Sequence, residues 1–316
     1  MPYNLENRLV IGIASSALFD LAASDEVFRT QGEESYRRYQ EENIGSPLTP
    51  GVAFPFIKRL LSLNDLSSNE ADPLVEVIIL SRNDPDTGLR VMKSVAHHKL
   101  AITRAIFTQG KSPYEFMPVL HMSLFLSANP TDVKEAMSRN LPAGQVLPSE
   151  YTDDEDDPDL RIAFDFDGVL ADDASERVMQ AEGLKRFHAH ETANAVTPHS
   201  PGPLHDFLKQ INKIQQREEA ERASDPNYKV RLRVSIVTAR NAPSHERALA
   251  SLKAWGVTVN DAFFLGGIDK GAVIGVLKPH IFFDDQQTHL VSTSRVAPSV
   301  HVPFGVVNVS RPADIG

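Results

Sequence analysis

The sequence contains no cysteine. Disulfide bonds, thiolate metal sites and cysteine nucleophiles are therefore excluded, and the composition fits a cytoplasmic protein. Long apolar runs are also missing, so no membrane-spanning helix is predicted. Residues 9–23 have the length of a signal-peptide core, but Asp20 interrupts them, and we interpret them as a strand of a soluble protein.

Positive charge is in the minority. The chain has 32 Lys and Arg against 42 Asp and Glu, which gives a formal net charge of −10. Nucleic acids and anionic membranes bind basic surfaces, so neither is predicted as a partner, and an anionic substrate would need locally placed cations. With 316 residues, 41% of them hydrophobic, the chain can form two domains or one large α/β unit.

The two halves of the sequence resemble each other. At a shift of 151 residues the following positions coincide: Leu9 with Leu160, Ile11 with Ile162, Ser24 with Ser175, Val27 with Val178, Gly32 with Gly183, Pro50-Gly51 with Pro201-Gly202, Phe56 with Phe207 and Lys58 with Lys209. Residues 78–81 match 235–238 at a shift of 157, and Lys111 matches Lys270 at 159. Chance explains two or three such pairs but not all of them, so we predict an internal duplication.

A predicted strand in the second half ends in two closely spaced aspartates. The apolar run that starts at residue 160 leads into Asp165 and Asp167, whose side chains point the same way in an extended chain, while Gly168 lets the chain turn away. Carboxylates this close repel each other unless a divalent cation or a shared proton lies between them. Ala14 and Ser16 occupy the corresponding places in the first half, which is therefore predicted to be a degenerate copy. The alternative is a polar turn after a core strand.

An acidic segment divides the sequence. We predict a degenerate domain in residues 1–150, a linker in 151–159 and a catalytic domain in 160–316. The many like charges and the proline of the linker oppose packing and favour a solvated segment. Strands and helices alternate in both halves, which predicts an α/β fold with a mostly parallel sheet and helices on both faces. The second half has predicted helices at 174–186, 203–216 and 243–255, strands at 234–237 and 281–283, and a helix end with an exposed loop at 215–226.

Three further polar groups follow predicted strands in the second half. They are Thr238 with Ala239 and Arg240, Lys270 in a glycine-rich loop, and the pair Asp284-Asp285. Taken singly, each has a common structural explanation: a threonine caps a turn, a lysine is solvated, and two aspartates form a turn. Adjacent carboxylates after a buried strand are nevertheless costly without a cation, and a lysine between glycines can reach a phosphate.

The ordered series D-x-D-G-V, Thr, Lys and D-D resembles the haloacid-dehalogenase phosphohydrolase superfamily. The chain is also similar, from about residue 9 to about residue 307, to the cytosolic 5'-nucleotidase type I family. The motifs that carry this resemblance are Thr49-Pro50-Gly51, Ala53 to Phe56, Val237 to Arg240, Ala254 to Gly256, His280 to Gln286 and His301 to Pro303. The family more often has D-G-D-A-V at the first motif, whereas this chain has Asp165-Phe166-Asp167-Gly168-Val169. Both aspartates are kept.

The resemblance implies a HAD-like fold and a Mg²⁺-dependent 5'-nucleotidase that converts nucleoside 5'-monophosphates to nucleoside and phosphate. Asp165 would attack phosphorus and form an aspartyl-phosphate, and Asp167 would act as general acid and then as general base. The implied ligand sets are Thr238, Ala239 and Lys270 for the phosphate, and Asp165, Asp167 through its backbone carbonyl, and Asp284 or Asp285 for Mg²⁺.

Groups that contact only phosphate do not select the nucleoside. The segment 173–203 is therefore predicted as a small cap over the leaving group. Within it Phe187 could stack on a base, although an aromatic residue in a helix core is the commoner case, and Arg240 is a further candidate for substrate contact. His188 and His190 lack an acidic partner at metal-ligand spacing, so we assign them to the surface or the cap.

Several alternatives stay open. The same chemistry could act on another small phosphate ester, such as a sugar phosphate. The chain could instead be a nucleotide-binding regulatory protein, although the intact acidic set of the second half argues against it. The first half could bind an effector nucleotide through Ser81 and Lys111, or serve only as a packing partner. Base and sugar preference and a homo-oligomeric state also stay open.

Overall fold

The computed structural model describes residues 3–69 and 71–308. Contacts between residues divide the chain into two compact units. Unit 1 comprises Met1–Val146 with Asp153–Pro158, and unit 2 comprises Leu147–Thr152 with Asp159–Gly316. None of the helices in the described part of the chain combines the length and the apolar composition that crossing a bilayer requires.

Strands and helices alternate along the described part of unit 1. The strands are β1 (Leu9–Ile13), β2 (Val75–Ser81), β3 (Arg104–Phe107), β4 (Met122–Ser127) and β5 (Ala143–Val146). The helices are α1 (Ser15–Leu18), α2 (Ala22–Glu42), α3 (Phe54–Ser62), α4 (Pro85–His97), α5 (Phe116–Val119) and α6 (Pro130–Ser138), with a 3₁₀ turn at Leu63–Leu66.

The same alternation continues in unit 2. Its strands are β6 (Leu160–Phe164), β7 (Leu232–Thr238), β8 (Asp261–Phe264), β9 (Ile281–Asp284) and β10 (Ser299–His301). Its helices are α7 (Ala174–Ala193), α8 (His205–Ser224), α9 (His245–Trp255), α10 (Lys270–Leu277) and α11 (Gln287–Thr293), with a 3₁₀ turn at Val306–Asn308.

Each unit has a parallel arrangement of strands with its first strand at the centre. The order is β3-β2-β1-β4-β5 in unit 1 and β8-β7-β6-β9-β10 in unit 2, so the two orders are the same when strands are counted within each unit. The pairings within each unit are parallel. Every residue of β2 is buried, and because successive side chains point to opposite faces, both faces of that strand are covered. The predicted α/β class with a mostly parallel sheet is confirmed.

Local features recur in the two units at the positions that the repeat pairs. A long helix between the first two strands of each unit is interrupted by a glycine with positive φ: Gly32 with φ 81° in α2 and Gly183 with φ 77° in α7. The glycines of the two Pro-Gly pairs lie against backbone. A Cβ on Gly51 would come within 2.9 Å of backbone atoms, and one on Gly202 would lie 2.3 Å from the carbonyl oxygen of Ala171. These positions therefore require glycine.

The acidic segment 151–159 is predicted to be a solvated linker, but the structure ties part of it to α3. The buried Arg59 donates through Nη1 to the carboxylate of Asp153 at 2.9 Å. Its Nε and Nη2 donate to the backbone carbonyls of Asp157 and Asp154, at 3.2 and 2.6 Å. One arginine therefore offsets part of the repulsion and ties the segment to α3, while residues 154–156 are exposed to solvent as predicted.

Helix α8 extends to Ser224, beyond its predicted end at residue 216, so most of the segment 215–226, predicted as a helix end with an exposed loop, is helix rather than loop. The reason is Glu218, whose buried carboxylate accepts hydrogen bonds of 2.9 Å from the backbone N–H groups of Arg231 and Leu232. These bonds tie the second half of α8 to the start of β7. Residues 219–226 are exposed, as predicted. A polar helix with one interior acidic residue has the composition of a loop, which is why the sequence alone misplaces its end.

Candidate active site

Polar side chains gather at the carboxyl ends of the central strands of unit 2. Asp165 follows β6, Thr238 ends β7 and Asp284 ends β9, and β6 lies between the other two strands. The backbone N–H of Asp165 donates to the carbonyl of Phe283 at 2.7 Å, which fixes the two strand ends side by side. Strands β7 and β8 lie on one side of β6 within the sheet, and β9 and β10 lie on the other side. The order in which the chain adds strands therefore reverses at β6. Open α/β sheets bind ligands in the crevice at such a point.

Lys270 connects two of these strand ends. Its Nζ lies 2.8 Å from Oδ2 of Asp165 and 2.6 Å from Oδ2 of Asp284, and all three side chains are at most 4% exposed. Helix α10 begins at this lysine, with Asp269 as its N-cap. One buried ammonium thus offsets one of the two negative charges of these buried carboxylates and is shared between them, which makes the lysine essential to the electrostatic balance of the cluster.

Burial and the lysine act in opposite directions on the two carboxylates. Burial raises the pKa of Asp165 to about 6, although Lys270 lowers it. Burial also acts to raise the pKa of Asp284, but Lys270 and His289, whose Nδ1 is 3.1 Å from Oδ2, outweigh burial and hold that pKa below its usual value. For Lys270 burial acts to lower the pKa, and the two carboxylates raise it above its usual value. Near pH 7 the cluster therefore contains two carboxylates and one ammonium.

Asp285 is buried, and in the described part of the chain no cationic side chain forms an ion pair with it, although the charge of Lys270 acts to lower its pKa. Among the residues that the structure describes, none donates a hydrogen bond to its buried Oδ1 atom. Gly168, with φ 70°, faces the other oxygen, and a Cβ there would lie 2.4 Å from Oδ2. Burial, together with repulsion by Asp165 and Asp284, raises the pKa of Asp285 to about 10. A buried carboxylate with an unpartnered oxygen beside other carboxylates fits a divalent cation.

A second group of metal-ligand atoms lies nearby. Oxygens of Asp165 and Asp284 and a nitrogen of His289 lie within 4.8 Å of one another. The ammonium of Lys270 already contacts both of these carboxylates, so their charge is partly compensated. Asp285 is therefore the best candidate for a metal ligand, with Asp165 as the neighbouring carboxylate.

Asp167 is paired with a buried arginine. Nε and Nη2 of Arg240 donate to the two carboxylate oxygens of Asp167, each at 2.6 Å. Nη1 donates to Glu191 and, at 3.0 Å, to the carbonyl of Ser244, and Nη2 also lies 3.0 Å from Nε2 of His199. Every nitrogen of the guanidinium thus has a protein partner. In this arrangement Arg240 serves acidic side chains and has no nitrogen left for the predicted contact with substrate.

Glu191 completes this network and is absent from the sequence predictions. Its buried carboxylate accepts from Ser175 at 2.8 Å, from Arg247 at 2.9 Å and from Arg240. Burial acts to raise the pKa of Glu191, but His199 and Arg240 outweigh burial and hold it far below its usual range. Sequence reasoning also missed His199 and Arg247. The signal that could have found Glu191 is the repeat, because the shift of 151 residues pairs this carboxylate with an uncharged side chain.

The remaining predicted residues take different positions. Thr238 is buried, and its Oγ1 accepts from the N–H of Arg240 at 3.3 Å, whereas Ala239 is exposed directly after β7. Phe187 lies in α7 and is 7% exposed, with its ring centroid 5.3 Å from the guanidinium carbon of Arg240. The burial of Phe187 favours the alternative of a core aromatic. The segment 173–203 consists of α7 and the loop that follows it.

Comparisons with known proteins agree on one family. The model of the 5'-nucleotidase family matches residues 1–309. The chain is 33% identical over 302 residues to human cytosolic 5'-nucleotidase 1B, in an alignment that covers 93% of this chain and 48% of that protein. The chain thus spans about half the length of that relative. No solved structure matches it significantly. The chain belongs to the 5'-nucleotidase family.

Proposed function

We propose that the chain is a Mg²⁺-dependent 5'-nucleotidase that hydrolyses nucleoside 5'-monophosphates to nucleoside and phosphate. The observation that carries the proposal is the buried cluster of Asp165, Lys270, Asp284 and Asp285 at the carboxyl ends of the central strands, in a member of the 5'-nucleotidase family. This chemistry requires a carboxylate nucleophile, a cation for the phosphate and carboxylates for a metal. The name of the human relative supports a cytosolic location, which we include in the proposal.

Asp165 is suited to act as the nucleophile. Its carboxylate is ionised near pH 7 because the pKa of about 6 lies below that value. Lys270 and the N–H of Phe166, which donates to Oδ1 at 2.7 Å, hold the two oxygens in one orientation. Attack on phosphorus forms an aspartyl-phosphate and breaks the bond to the ribose 5' oxygen, which would take its proton from the acid form of Asp167 and leave that side chain as the carboxylate. In the second step Asp167 removes a proton from the water that hydrolyses the aspartyl-phosphate.

The phosphate needs a local cation in so acidic a protein. Lys270 supplies an ammonium beside the nucleophile. At the end of β7 the hydroxyl of Thr238 and the backbone N–H of Ala239 would donate to phosphoryl oxygens. Positioning of this kind supplies much of the rate enhancement in phosphoryl transfer.

Mg²⁺ would be held by the carboxylates of Asp165 and Asp285 and by the backbone carbonyl of Asp167. Asp285 fits this role because its Oδ1 has no donor among the described residues, whereas the oxygens of Asp284 accept from Lys270, His289 and a backbone N–H. When bound, the ion offsets the negative charge that a phosphate brings to the carboxylates.

The proposal extends to the origin of the fold. We infer a HAD-like internal duplication in which unit 1 is the degenerate copy and unit 2 the catalytic one. The shared strand order and the glycine kinks support it, as does the presence of Ala14 and Ser16 in the places of Asp165 and Asp167. Residues 173–203 would form the cap over the leaving group.

An effector nucleotide in unit 1 finds little support in its cavity of about 380 Å³, which Ser81 lines and Lys111 does not. Lys111 is exposed. The cation that lines the cavity, Arg82, pairs with Glu135 and lies 3.1 Å from Asp132. Because its charge is already offset, the cavity offers hydroxyl groups rather than an available cation for a phosphate. We therefore place the function in unit 2.

The test of the proposed function is phosphate release from a panel of 5'- and 3'-nucleoside monophosphates and sugar phosphates, with Mg²⁺ or with chelator. Hydrolysis that is concentrated on 5'-monophosphates and lost in chelator is the expected result. Preference for sugar phosphates would indicate another phosphomonoesterase. No release from any ester would remove the enzymatic interpretation.

Mg²⁺ binding is expected to strengthen as the pH rises. Without metal, the folded protein retains a proton on Asp285, whose pKa is raised to about 10, whereas the unfolded chain loses that proton near pH ~4. Between these values the metal-free fold loses stability as the pH rises, and Mg²⁺ that displaces the proton reverses the loss. The melting temperature should therefore increase more on addition of Mg²⁺ at pH ~8 than at pH ~6.

The matched variant for this measurement is Asp285→Asn, which keeps the shape of the side chain and removes its charge. Mg²⁺ should raise its melting temperature only slightly at either pH. Asp206→Asn, at an exposed position in α8, is the control and should respond like the wild type. A full Mg²⁺ response in Asp285→Asn would contradict the assignment of the metal to Asp285.

A further inference from the structure

Each unit contains a hydrogen-bond network around a buried arginine, and the two networks have the same arrangement of donors and acceptors, which we call the framework. In unit 2, Arg247 on α9 donates through Nε to a backbone carbonyl and through Nη1 to Glu191, both at 2.9 Å. In unit 1, Arg90 on α4 donates through Nε to a backbone carbonyl at 3.0 Å and through Nη1 to Gln40 at 3.1 Å. A serine four residues after each arginine donates to that arginine's carbonyl at 2.8 Å. The shifts of 157 and 151 residues found in the repeat also relate these positions.

The two networks differ in the charges of the side chains near the proposed catalytic residues. Four charged side chains of unit 2 have uncharged counterparts in unit 1: Asp165 with Ala14, Asp167 with Ser16, Arg240 with Asn83 and Glu191 with Gln40. Asn83 and Arg240 correspond in structure as well, because the N–H of each donates to the hydroxyl two residues before it, at 3.2 and 3.3 Å. Unit 1 thus forms the same framework without these four charges, so the framework itself does not require them.

We propose that Arg240 is a positioning residue for Asp167 and that Glu191 holds Arg240 in place; this inference rests on the proposed function. The two hydrogen bonds of 2.6 Å from Arg240 fix both oxygens of Asp167, and a bidentate pair specifies direction as well as distance. Glu191 is held in turn by Arg247. The buried chain from Asp167 to Arg247 therefore alternates between negative and positive charge.

The pairing anchors a carboxylate at the edge of the site to the interior, since the side chain of Asp167 is 15% exposed and that of Arg240 only 2%. Proton transfer requires Asp167 to be within hydrogen-bond reach of the leaving oxygen and then of the attacking water. A displacement of about 1 Å can cost on the order of 10² in rate. If Arg240 and Glu191 serve Asp167, a unit without the aspartate has no use for them. Unit 1 lacks all three charged side chains, as this role predicts.

The experiment uses substitutions whose products already occur in unit 1. Glu191→Gln repeats Gln40, and Arg240→Asn repeats Asn83, so the backbone arrangement accommodates each side chain. Arg240→Asn alone leaves Asp167 and Glu191 with one counter-charge fewer, so it should lose stability, and the double variant Arg240→Asn/Glu191→Gln should regain part of that loss. On the nucleoside 5'-monophosphate that the wild type hydrolyses fastest, we expect kcat to fall about 10²-fold in Arg240→Asn, with KM changed less than about threefold. Glu191→Gln should show a smaller loss in the same direction. Arg240→Lys should recover little of kcat, because an ammonium does not bond both oxygens in parallel.

A second substrate, p-nitrophenyl phosphate, separates the two steps. Its phenolate leaves without a proton, so formation of the aspartyl-phosphate should be little affected in Arg240→Asn. Hydrolysis of that intermediate still needs Asp167 to deprotonate water. The variant should therefore release a burst of about one p-nitrophenolate per chain, followed by slow turnover.

The control is Gln40→Glu, which adds the carboxylate at the matching position of unit 1 and should have the kcat of the wild type. Thermal melting checks the fold of each variant. A wild type that hydrolyses no monophosphate contradicts the proposed function. Normal wild-type hydrolysis with an undiminished kcat in Arg240→Asn and Glu191→Gln, or a loss confined to KM, contradicts the positioning role alone.

Discussion

Replacement of Asp165 by asparagine is expected to reduce phosphate release from nucleoside 5'-monophosphates by at least about 10⁴-fold, because an amide does not form the aspartyl-phosphate. The variant should remain folded. Asparagine has the size of aspartate, and its amide oxygen can still accept from Lys270 or from the N–H of Phe166. The measurement is steady-state phosphate release by wild type and variant, with thermal melting of both.

The control for this comparison is an aspartate outside the site. Asp206→Asn changes an exposed residue of α8 and should leave the rate unchanged. If Asp165→Asn kept a substantial part of the activity, the nucleophile would have to be another residue. Unit 1 offers no replacement at the matching position, because Ala14 stands there.

The strand ends that form the site can be predicted from the sequence. An apolar run that stops at a polar residue marks a buried strand and its end, and parallel strands bring their carboxyl ends to one edge. The predicted strands at 234–237 and 281–283 lie within β7 and β9, and Asp165, Thr238 and Asp284 lie where this argument places them. The local sequence pattern is therefore sufficient to predict where these residues lie in the fold.

The partners of these residues cannot be predicted in the same way. Glu191 lies on α7 and Arg247 on α9, and their contact with Arg240 depends on how the helices pack. In composition they are charged helix residues like those of a solvated face. Glu218 in the second half of α8 is a further case, because its backbone partners lie beyond the helix. A charged residue can be assigned to the interior only when its partners are known, and those partners cannot be identified from a single sequence.

The choice between Asp284 and Asp285 shows the same limit. The sequence presents two adjacent carboxylates and leaves open which one contacts a metal. The structure distinguishes them through side-chain direction: Asp284 accepts from Lys270 and His289, whereas Asp285 points toward Gly168 with one oxygen unpartnered among the described residues. The direction of each side chain depends on the backbone conformation at the end of β9, which cannot be inferred from the local sequence pattern.

Replacement of Lys270 by methionine is expected to affect stability and activity together. Its ammonium lies between two buried carboxylates, so the variant strands the charges of Asp165 and Asp284 in the interior. Loss of one partner of a buried ion pair costs about 3–5 kcal/mol of the free energy of unfolding. Loss of a phosphate-binding donor should lower kcat by a further factor on the order of 10²–10³. Denaturant unfolding and steady-state phosphate release measure the two effects.

The electrostatic origin of the stability loss can be tested by pH and by a second substitution. Lys270 lowers the pKa of Asp165, so its removal lets the folded state retain a proton to higher pH, and the variant should lose more stability at pH ~8 than at pH ~5. Adding Asp165→Asn removes one stranded charge and should return at least about 1 kcal/mol to Lys270→Met. Lys209→Met, at an exposed position of α8, should have the stability of the wild type. A loss in Lys270→Met that neither pH nor Asp165→Asn alters would show that the lysine contributes through the packing of its aliphatic chain rather than through its charge.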